Sequence, residues 1–409
     1  MEAWEKNLYV LWGTQFLAMM GMNLVIPFLP FFVRQLGITD PDSLAFWSGL
    51  VFAGPFLTAF IATPFWAKLG DRHGRKFTVV RAIFGLGIAQ ILIGFSHNVL
   101  ELLIFRTVQG AISGFLAASL AMVSATTPKE KLGSSLGFLQ SATAAGTVIG
   151  PVVGGLLADV MSYRQIFFLV AAICFIAGFV VIRYVHEIKH PHAVHHNHSI
   201  RENYKFLFHD KQLLIIVLTI VVSQGAALMI EPIFALFIEK FHGESQYIST
   251  LVGIIFAISG VFMVISAPWW GRRNDRIGFK PNVVTALTGT GLSYLLHIFV
   301  PGLYVLGALR AALGFARGGI LHALYSLAAL RAPDNRRSGI MGIASSLAIL
   351  GNMIGPLVGG AIAGSFGISM VFVVNSSLFF GIAFVVMKYL NETPHTEHVE
   401  LPEVIEVPE

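Results

Sequence analysis

Five ionisable side chains stand where the chain otherwise offers apolar and small residues: Arg106, Glu231, Arg310, Arg317 and His322. A charge deep in hydrocarbon costs several kcal/mol unless it meets a partner or a water-filled cavity, so each is a candidate for moving charge or holding a charged molecule. Glu231 is the one carboxylate. A carboxylate caught between desolvation and a nearby arginine exchanges its proton when its surroundings change, which makes Glu231 the candidate proton carrier. At 1.5 Å per residue, Glu231 and Arg310 both fall about 10 Å below the same membrane boundary, and they are read as partners in proton coupling, with Arg106 the third member. A fixed ion pair that never titrates is the competing reading. Arg310 and Arg317 are seven positions apart and share a helical face, with Arg317 near mid-depth. His322 projects about 140° from Arg317 at 100° per residue and reads as a packed or vestibule histidine. Gln15, Asn23, Gln109, Gln140 and Gln224 join Arg310 and Arg317 as candidates for lining a substrate cavity.

The elements that must position these residues follow from composition. The chain has 409 residues, 55% hydrophobic and 12% charged, with a mean hydropathy of +0.74. That charged fraction is about half that of a soluble domain. Apolar runs long enough to cross roughly 30 Å of hydrocarbon recur throughout. Inside a bilayer the backbone must satisfy itself as helix or closed barrel, and continuous runs without strict alternation choose helices. Twelve spans are predicted, at 8–32, 45–67, 77–96, 99–124, 134–160, 164–184, 212–238, 247–270, 281–300, 303–331, 338–364 and 368–390. The first has no small-residue cleavage site and reads as a retained helix. Cys174 is the only cysteine, which excludes disulfides within the chain and cysteine-ligated metals. Lys and Arg crowd one set of loops, among them Lys68, Arg72, Arg75 and Lys76, then Arg272, Arg273, Arg276 and Lys280, then Arg331, Arg336 and Arg337. The opposite loops hold Arg34, Arg164 and Lys240. The asymmetry places both termini in the cytoplasm and accounts for the net charge of +5 without nucleic acid as a partner.

The chain repeats itself. "TPFWAKLGDRHGRK" aligns with "APWWGRRNDRIGFK" at an offset of 204, pairing Pro64 with Pro268, Trp66 with Trp270 and Asp71 with Asp275. The same offset carries Arg106 onto Arg310 and Gly110 onto Gly314, and one residue of slippage later "GTVIGPVVGG" falls on "GNMIGPLVGG". A six-helix unit has been duplicated, giving bundles over 1–185 and 212–390. Residues 186–211 form a histidine-rich linker, read as a solvated connector because nothing forces its histidines to converge on a metal. Residues 391–409 form an acidic tail with six Glu, read as a solvated cytoplasmic end.

Twelve helices in two parallel six-helix halves, with a "DRxGRK" loop after the second helix, resemble the major facilitator superfamily. The resemblance covers essentially the whole chain and implies an all-α membrane protein of two pseudo-symmetric bundles. It implies that Asp71, Arg72, Gly74, Arg75 and Lys76, with Asp275, Arg276, Gly278 and Lys280 in the second copy, act as gating loops, Asp71 bracing the start of the eleventh helix through its macrodipole. Ala67 replaces the motif's leading glycine and Phe279 its arginine in the second copy. The glycines 146, 150, 154 and 155 with Pro151 resemble the family's antiporter signature, and Gly351, Gly355, Pro356, Gly359 and Gly360 repeat it. Physically they clear one helical stripe for close approach. "RTVQG", through Arg106, Gln109 and Gly110, and "NLVIPFLP" resemble the drug:proton antiporter branch, although the acidic residues common before the latter are here Asn23 and Gln15. The implied function is a monomeric inner-membrane antiporter, not an enzyme and without cofactor or metal, that expels amphipathic toxic small molecules in exchange for protons by alternating access. The alternative is a transporter of an anionic metabolite or siderophore-like carboxylate, since membrane-depth arginines outnumber Glu231 and arginine forks suit carboxylates.

Overall fold

Proline and glycine decide where these helices stop. In the computed structural model, which describes residues 2–112, 114–187, 199–243 and 247–391, twelve long helices run back and forth in chain order. They are α1 (Ala3–Val25 and Leu29–Gln35), α2 (Pro41–His73), α3 (Arg75–Gly94), α4 (Val99–Ile112 and Phe115–Thr126), α5 (Leu132–Val160), α6 (Tyr163–Tyr184), α7 (Lys211–Met229 and Phe234–His242), α8 (Ile248–Ile277), α9 (Phe279–Leu296), α10 (Leu303–Arg317 and Leu321–Arg331), α11 (Arg337–Phe366) and α12 (Ile368–Tyr389). Eleven of the described helical spans are long and apolar enough to cross a membrane. The twelfth, α9, has 18 residues and carries Asn282, Thr285, Thr288, Thr290 and Ser293; it is sheltered by α10 and α12, so it needs less apolar surface than a helix facing lipid.

Four helices are discontinuous, and the breaks repeat between the halves. In α1 a 3-10 turn, Ile26–Phe28, carries Pro27; in α7 the turn Glu231–Ile233 carries Pro232. Proline lacks the N–H and crowds the preceding carbonyl, so the α-ladder cannot continue there. α4 is broken before Gly114, whose φ is +104°, and α10 is broken over Gly318–Ile320. The predicted fourth and tenth spans are therefore each two helices in line.

The packing is pseudo-symmetric. In the first half α1 packs on α5, α2 on α4 and α3 on α6; in the second α7 packs on α11, α8 on α10 and α9 on α12. The repeat extends to single bonds: the Trp66 indole donates to the Ala111 carbonyl at 2.5 Å, and Trp270 donates to the Phe315 carbonyl at 2.6 Å. The halves meet along two seams, α2 on α11 and α5 on α8. In the linker, Ile200–His209 forms a short amphipathic helix capped by Ser199 and Glu202, which buries Leu207 and packs on α7 and α11. The solvated-connector reading is corrected for this segment: its apolar stripe needs a surface to cover. The histidine cluster from 190 to 198 lies outside the described residues, as does the acidic tail beyond Asn391.

Candidate functional site

The broken turn of α7 brings Glu231 to face α10. A carboxylate oxygen of Glu231 lies 3.7 Å from Nη1 of Arg317, with the two side chains 15% and 20% exposed, so the pair is sheltered yet still open to solvent. This corrects the expected Glu231–Arg310 pairing. Arg310 is directed elsewhere by an aromatic ring: its guanidinium lies 3.9 Å over Phe234 and 5.0 Å from Phe256, and the side chain is fully buried. Glu231 and Arg317 are the charged groups that act on it. A guanidinium flat on an aromatic face is attracted by the ring quadrupole, which partly offsets the cost of burying it.

In the first half, Arg106 donates to Gln109 Oε1 at 2.8 Å, a neutral partner on its own helix. Gln15 and Gln140 are linked through one hydroxyl: Gln15 Nε2 donates to Thr143 Oγ1 at 3.0 Å, and that hydroxyl donates to Gln140 Oε1 at 3.4 Å. Gln140 is exposed and Gln15 buried. Asn23 Nδ2 is turned back onto the Met19 carbonyl at 2.8 Å, Gln224 is half-buried on α7, and His322 is exposed. The polar candidates thus form separate groups on α1–α5, on α4 and on α7–α10.

The glycine signature does two jobs. A side chain at Gly154 would strike the carbonyl of Leu24 in α1, and one at Gly359 that of Met229 in α7; Gly146, Gly150, Gly351 and Gly355 lie along the same close approaches. The last glycine of each run faces the other half, Gly155 against Ser249 of α8 and Gly360 against Ala45 and Gly49 of α2, while the carbonyls of Pro151 and Pro356 approach Gly253 and Gly49. Both contacts sit at the end of the molecule away from the chain termini.

That far end also carries the hydrogen bonds between the halves. Arg34 grips Glu239 through two nitrogens at 2.7 and 2.6 Å, a bidentate charge-assisted pair. Asp159, at the end of α5, accepts from the backbone N–H of Ser249 and Thr250 at 3.1 and 2.9 Å, placing a carboxylate on the positive N-terminal end of α8. The roles of these three side chains were not foreseen, Arg34 having been read only as a loop charge; Asp159, immediately after the glycine signature, was the available signal.

At the hairpin end, Gly74 and Gly278 adopt φ of +99° and +87°, the left-handed region that glycine enters without strain, and turn α2 into α3 and α8 into α9. Arg75 N donates to Glu187 at the start of the linker at 2.6 Å, Arg75 Nη1 to the Ala121 carbonyl at 2.5 Å and Lys76 to the Ile182 carbonyl at 2.8 Å, none of them reaching the second half. Arg72, Asp275 and Arg276 are exposed, and Lys280 is half-buried. The Asp71 side chain lies outside the described residues. A hollow of about 190 Å³ opens between α2, α3 and α4, lined by Ala59, Ala62, Trp66, Arg81, Gly110 and Ala117 among others, with the Arg81 guanidinium 3.5 Å over Trp66. The sequence reading missed it; its signal was small residues at helical spacing on two facing spans.

Comparison with known proteins places this geometry. The family model described as "Major Facilitator Superfamily" matches residues 11–251 and 229–404. The chain is 35% identical over 382 residues to "Multidrug resistance protein MdtG" of Proteus mirabilis (strain HI4320), covering 93% of this chain and 94% of that one. It is 34% identical over 375 residues to the protein of the same name in Escherichia coli (strain K12 / DH10B), covering 92% of each. Among solved structures, the inward-facing, occupied form of a bacterial homolog of the human lysosomal transporter Spinster superposes with TM-score 0.79 at 13% identity, over 94% of this chain and 97% of that one. A D-xylose-proton symporter does so with TM-score 0.72 at 16% identity, over 96% and 99%. At such identities these two report the fold alone.

Proposed function

The chain belongs to the Major Facilitator Superfamily, a multi-pass membrane transporter and not an enzyme, and from that premise we propose that it is a proton-coupled antiporter exporting amphipathic toxic compounds. The observation that carries the proposal is the Glu231–Arg317 pair: one carboxylate at membrane depth, on a proline-broken turn, held by an arginine of the facing helix. Protonating Glu231 releases Arg317 and frees α7 and α10 to move; losing that proton restores the pair. Discontinuous helices around a mid-membrane site are the parts that alternating access uses. The name carried by the curated relatives supports multidrug compounds as substrates.

The two ends of the molecule fit one half of such a cycle. With Lys- and Arg-rich hairpins and both termini on the cytoplasmic side of the inner membrane, the Arg34–Glu239 and Asp159–α8 contacts latch the outer end, while the bonds of Arg75 and Lys76 at the inner end reach the first half and the start of the linker but not the second half. We read this as a state closed at its outer end. The gating loops then engage across the halves only when the outer latch parts, with Asp71 meeting the start of α11.

A second reading, transport of an anionic metabolite, is favoured by Arg310, which is buried without forming an ion pair. Proteoliposomes with an imposed pH gradient separate the two. Gradient-driven movement of a lipophilic cation or neutral drug, lost in Glu231→Gln, supports antiport; movement of polycarboxylates alone supports the second reading, and transport indifferent to the gradient defeats the first.

A further inference from the structure

Six polar atoms buried in the second half lack a well-formed hydrogen bond within the protein: Nε and Nη1 of Arg310, Nε2 of His297, and the Tyr294 hydroxyl with Oδ1 and Nδ2 of Asn375, two side chains that neighbour each other without aligning. The four side chains are at most 1% exposed. Each buried polar atom left unpaired costs about 1–3 kcal/mol, so six in one place are tolerated only where water satisfies them. They come from α9 and the 3-10 turn that follows it, from α10 and from α12, and gather around the rings of Phe234 in α7 and Phe372 in α12. Arg310 lies over Phe234, and the His297 ring is 6.3 Å from that same ring, 5.3 Å from Phe372 and 6.1 Å from Tyr294. The Tyr294 hydroxyl faces Asn375 and feels the charges of Arg317, Glu231 and Arg310. The Arg310 charge reaches His297.

We propose that these groups hold a chain of water molecules that carries protons between the far end of the membrane and Glu231, with His297 and Tyr294 as its relay groups. The proposal rests on the proton-coupled reading and extends it by a route. Depth supplies the first argument. At 1.5 Å per residue, His297 lies about 5 Å below the loop at Val300, Tyr294 about 9 Å, Arg310 about 10 Å below the start of α10, and Glu231 about 16 Å below the end of α7. On α10 itself Arg310 stands about 10 Å nearer that far end than Arg317, the residue that meets Glu231, so the polar set lies on the far-end side of the carboxylate.

Protonation geometry supplies the second. His297 Nδ1 is 2.7 Å from the Ser293 carbonyl, a contact that only an N–H can make, so the neutral ring keeps its hydrogen there and leaves the Nε2 lone pair open. A proton arriving on water adds to Nε2 and forms the imidazolium. The same nitrogen returns it to the next water, the Tyr294 hydroxyl accepts one hydrogen bond and donates another, and the proton ends on a carboxylate oxygen of Glu231. One proton moves and both relay groups are left as they began. The groups facing His297 are Tyr294 at the end of α9, Phe234 from α7, Arg310 from α10 and Phe372 from α12; Glu231, Arg317 and the neutral Asn375 lie one step further on, around Tyr294. Arg310, unable to give up its proton, keeps excess positive charge out of the chain until Glu231 is ready to receive it.

The duplicated half supplies the third. At the repeat offsets it has Ile93 for His297, Gln90 for Tyr294, Val170 for Asn375 and Ile26 for Glu231. The same backbone packs with apolar side chains at three of these four positions, so the polar set answers to chemistry and not to the fold.

The test uses the full chain in proteoliposomes with a pH-sensitive dye inside, exchanging protons for tetraphenylphosphonium as the lipophilic cation. In His297→Phe and Tyr294→Phe the coupled proton flux is expected to fall about tenfold, less than the full worth of an acid–base group because water still bridges the gap. Equilibrium binding of the cation should stay within about twofold, and the pH profile of His297→Phe should lose its lower inflection. Should His297→Phe fail to fold, His297→Gln gives the same reading, since its amide can still donate to Ser293 but cannot carry a proton. Unchanged flux and pH profile in the His297 and Tyr294 variants, with Glu231→Gln uncoupled, overturns the relay and leaves the proton-carrier reading standing. Normal coupling in Glu231→Gln, or no coupled flux in the unaltered protein, overturns both.

Discussion

The two halves of this transporter share a backbone and divide the chemistry. Both break their first helix at a proline, Pro27 and Pro232, and both break their fourth at glycine. Both carry an arginine at the same place, Arg106 and Arg310. Only the second half sets a carboxylate on its broken turn, a second arginine against it and a tyrosine, histidine and asparagine behind it. The first half keeps Ile26 on its turn, pairs Arg106 with a neutral glutamine and opens a hollow lined by alanine and tryptophan. Duplication supplied the helix breaks twice, and divergence left the ion pair in one copy and apolar volume in the other.

The largest test of that division is Glu231→Gln combined with Ile26→Glu. Gradient-driven export should fall to background in the single variant and stay there in the double one, because the first half lacks a counterpart of the Glu231–Arg317 pair; recovery would show the halves to be interchangeable. Removing the arginines should also be unequal. Arg317→Met leaves Glu231 sheltered without its ion-pair partner and should cost about 2–3 kcal/mol in detergent unfolding, toward the lower side for a broken buried pair because both groups keep some solvent. Arg106→Met loses one hydrogen bond to a neutral group, about 1–2 kcal/mol.

Where the halves are alike, the effects should match. Gly154→Val and Gly359→Val each push a side chain into a helix backbone, at Leu24 and Met229, and each should cost about 1–3 kcal/mol; thermal unfolding that separates them by more than that range would deny the equivalence. The smallest effect belongs to the far-end seams. Asp159→Asn should weaken the grip of α5 on α8 by about 0.5–1 kcal/mol, read as faster labelling of a Val252→Cys reporter by an impermeant thiol reagent. On the α2–α11 seam the repeat places Gly364 where Asp159 stands, so Asp42→Asn should leave that labelling rate unmoved.

Much of the fold was legible because its determinants are local. Apolar runs, loop charge and the repeat offset located twelve helices, and Pro232 marked the break in α7. The loop reading of the two charged stretches is corrected, because α2 and α8 continue past the predicted 67 and 270 to His73 and Ile277 and carry Asp71, Arg72, Asp275 and Arg276 on helix, the turns starting only at Gly74 and Gly278. The breaks in α4 and α10 were missed because a glycine-rich apolar stretch reads the same whether the helix continues or turns. Partner choice was illegible for a different reason. Sequence spacing gives a residue's height along its helix, and Arg310 and Arg317 share a face, so height alone could not say which meets Glu231. The Phe234 ring, three residues beyond Glu231, decided it by capturing Arg310. Tyr294, His297 and Asn375 went unnoticed because single polar residues in spans are common; aligning them with Gln90, Ile93 and Val170 was the signal available.

By itself the sequence determined that this chain lives in a bilayer, as helices, in two related halves, since hydrophobic length, helical self-satisfaction of the backbone and internal repetition are properties of neighbouring residues. Only the tertiary structure decided that Glu231 answers to Arg317, that the far end is latched by Arg34–Glu239 and Asp159, and that buried polar groups of three helices converge. Those facts depend on how helices are rotated and crossed, and rotation is chosen by packing among residues far apart in the chain.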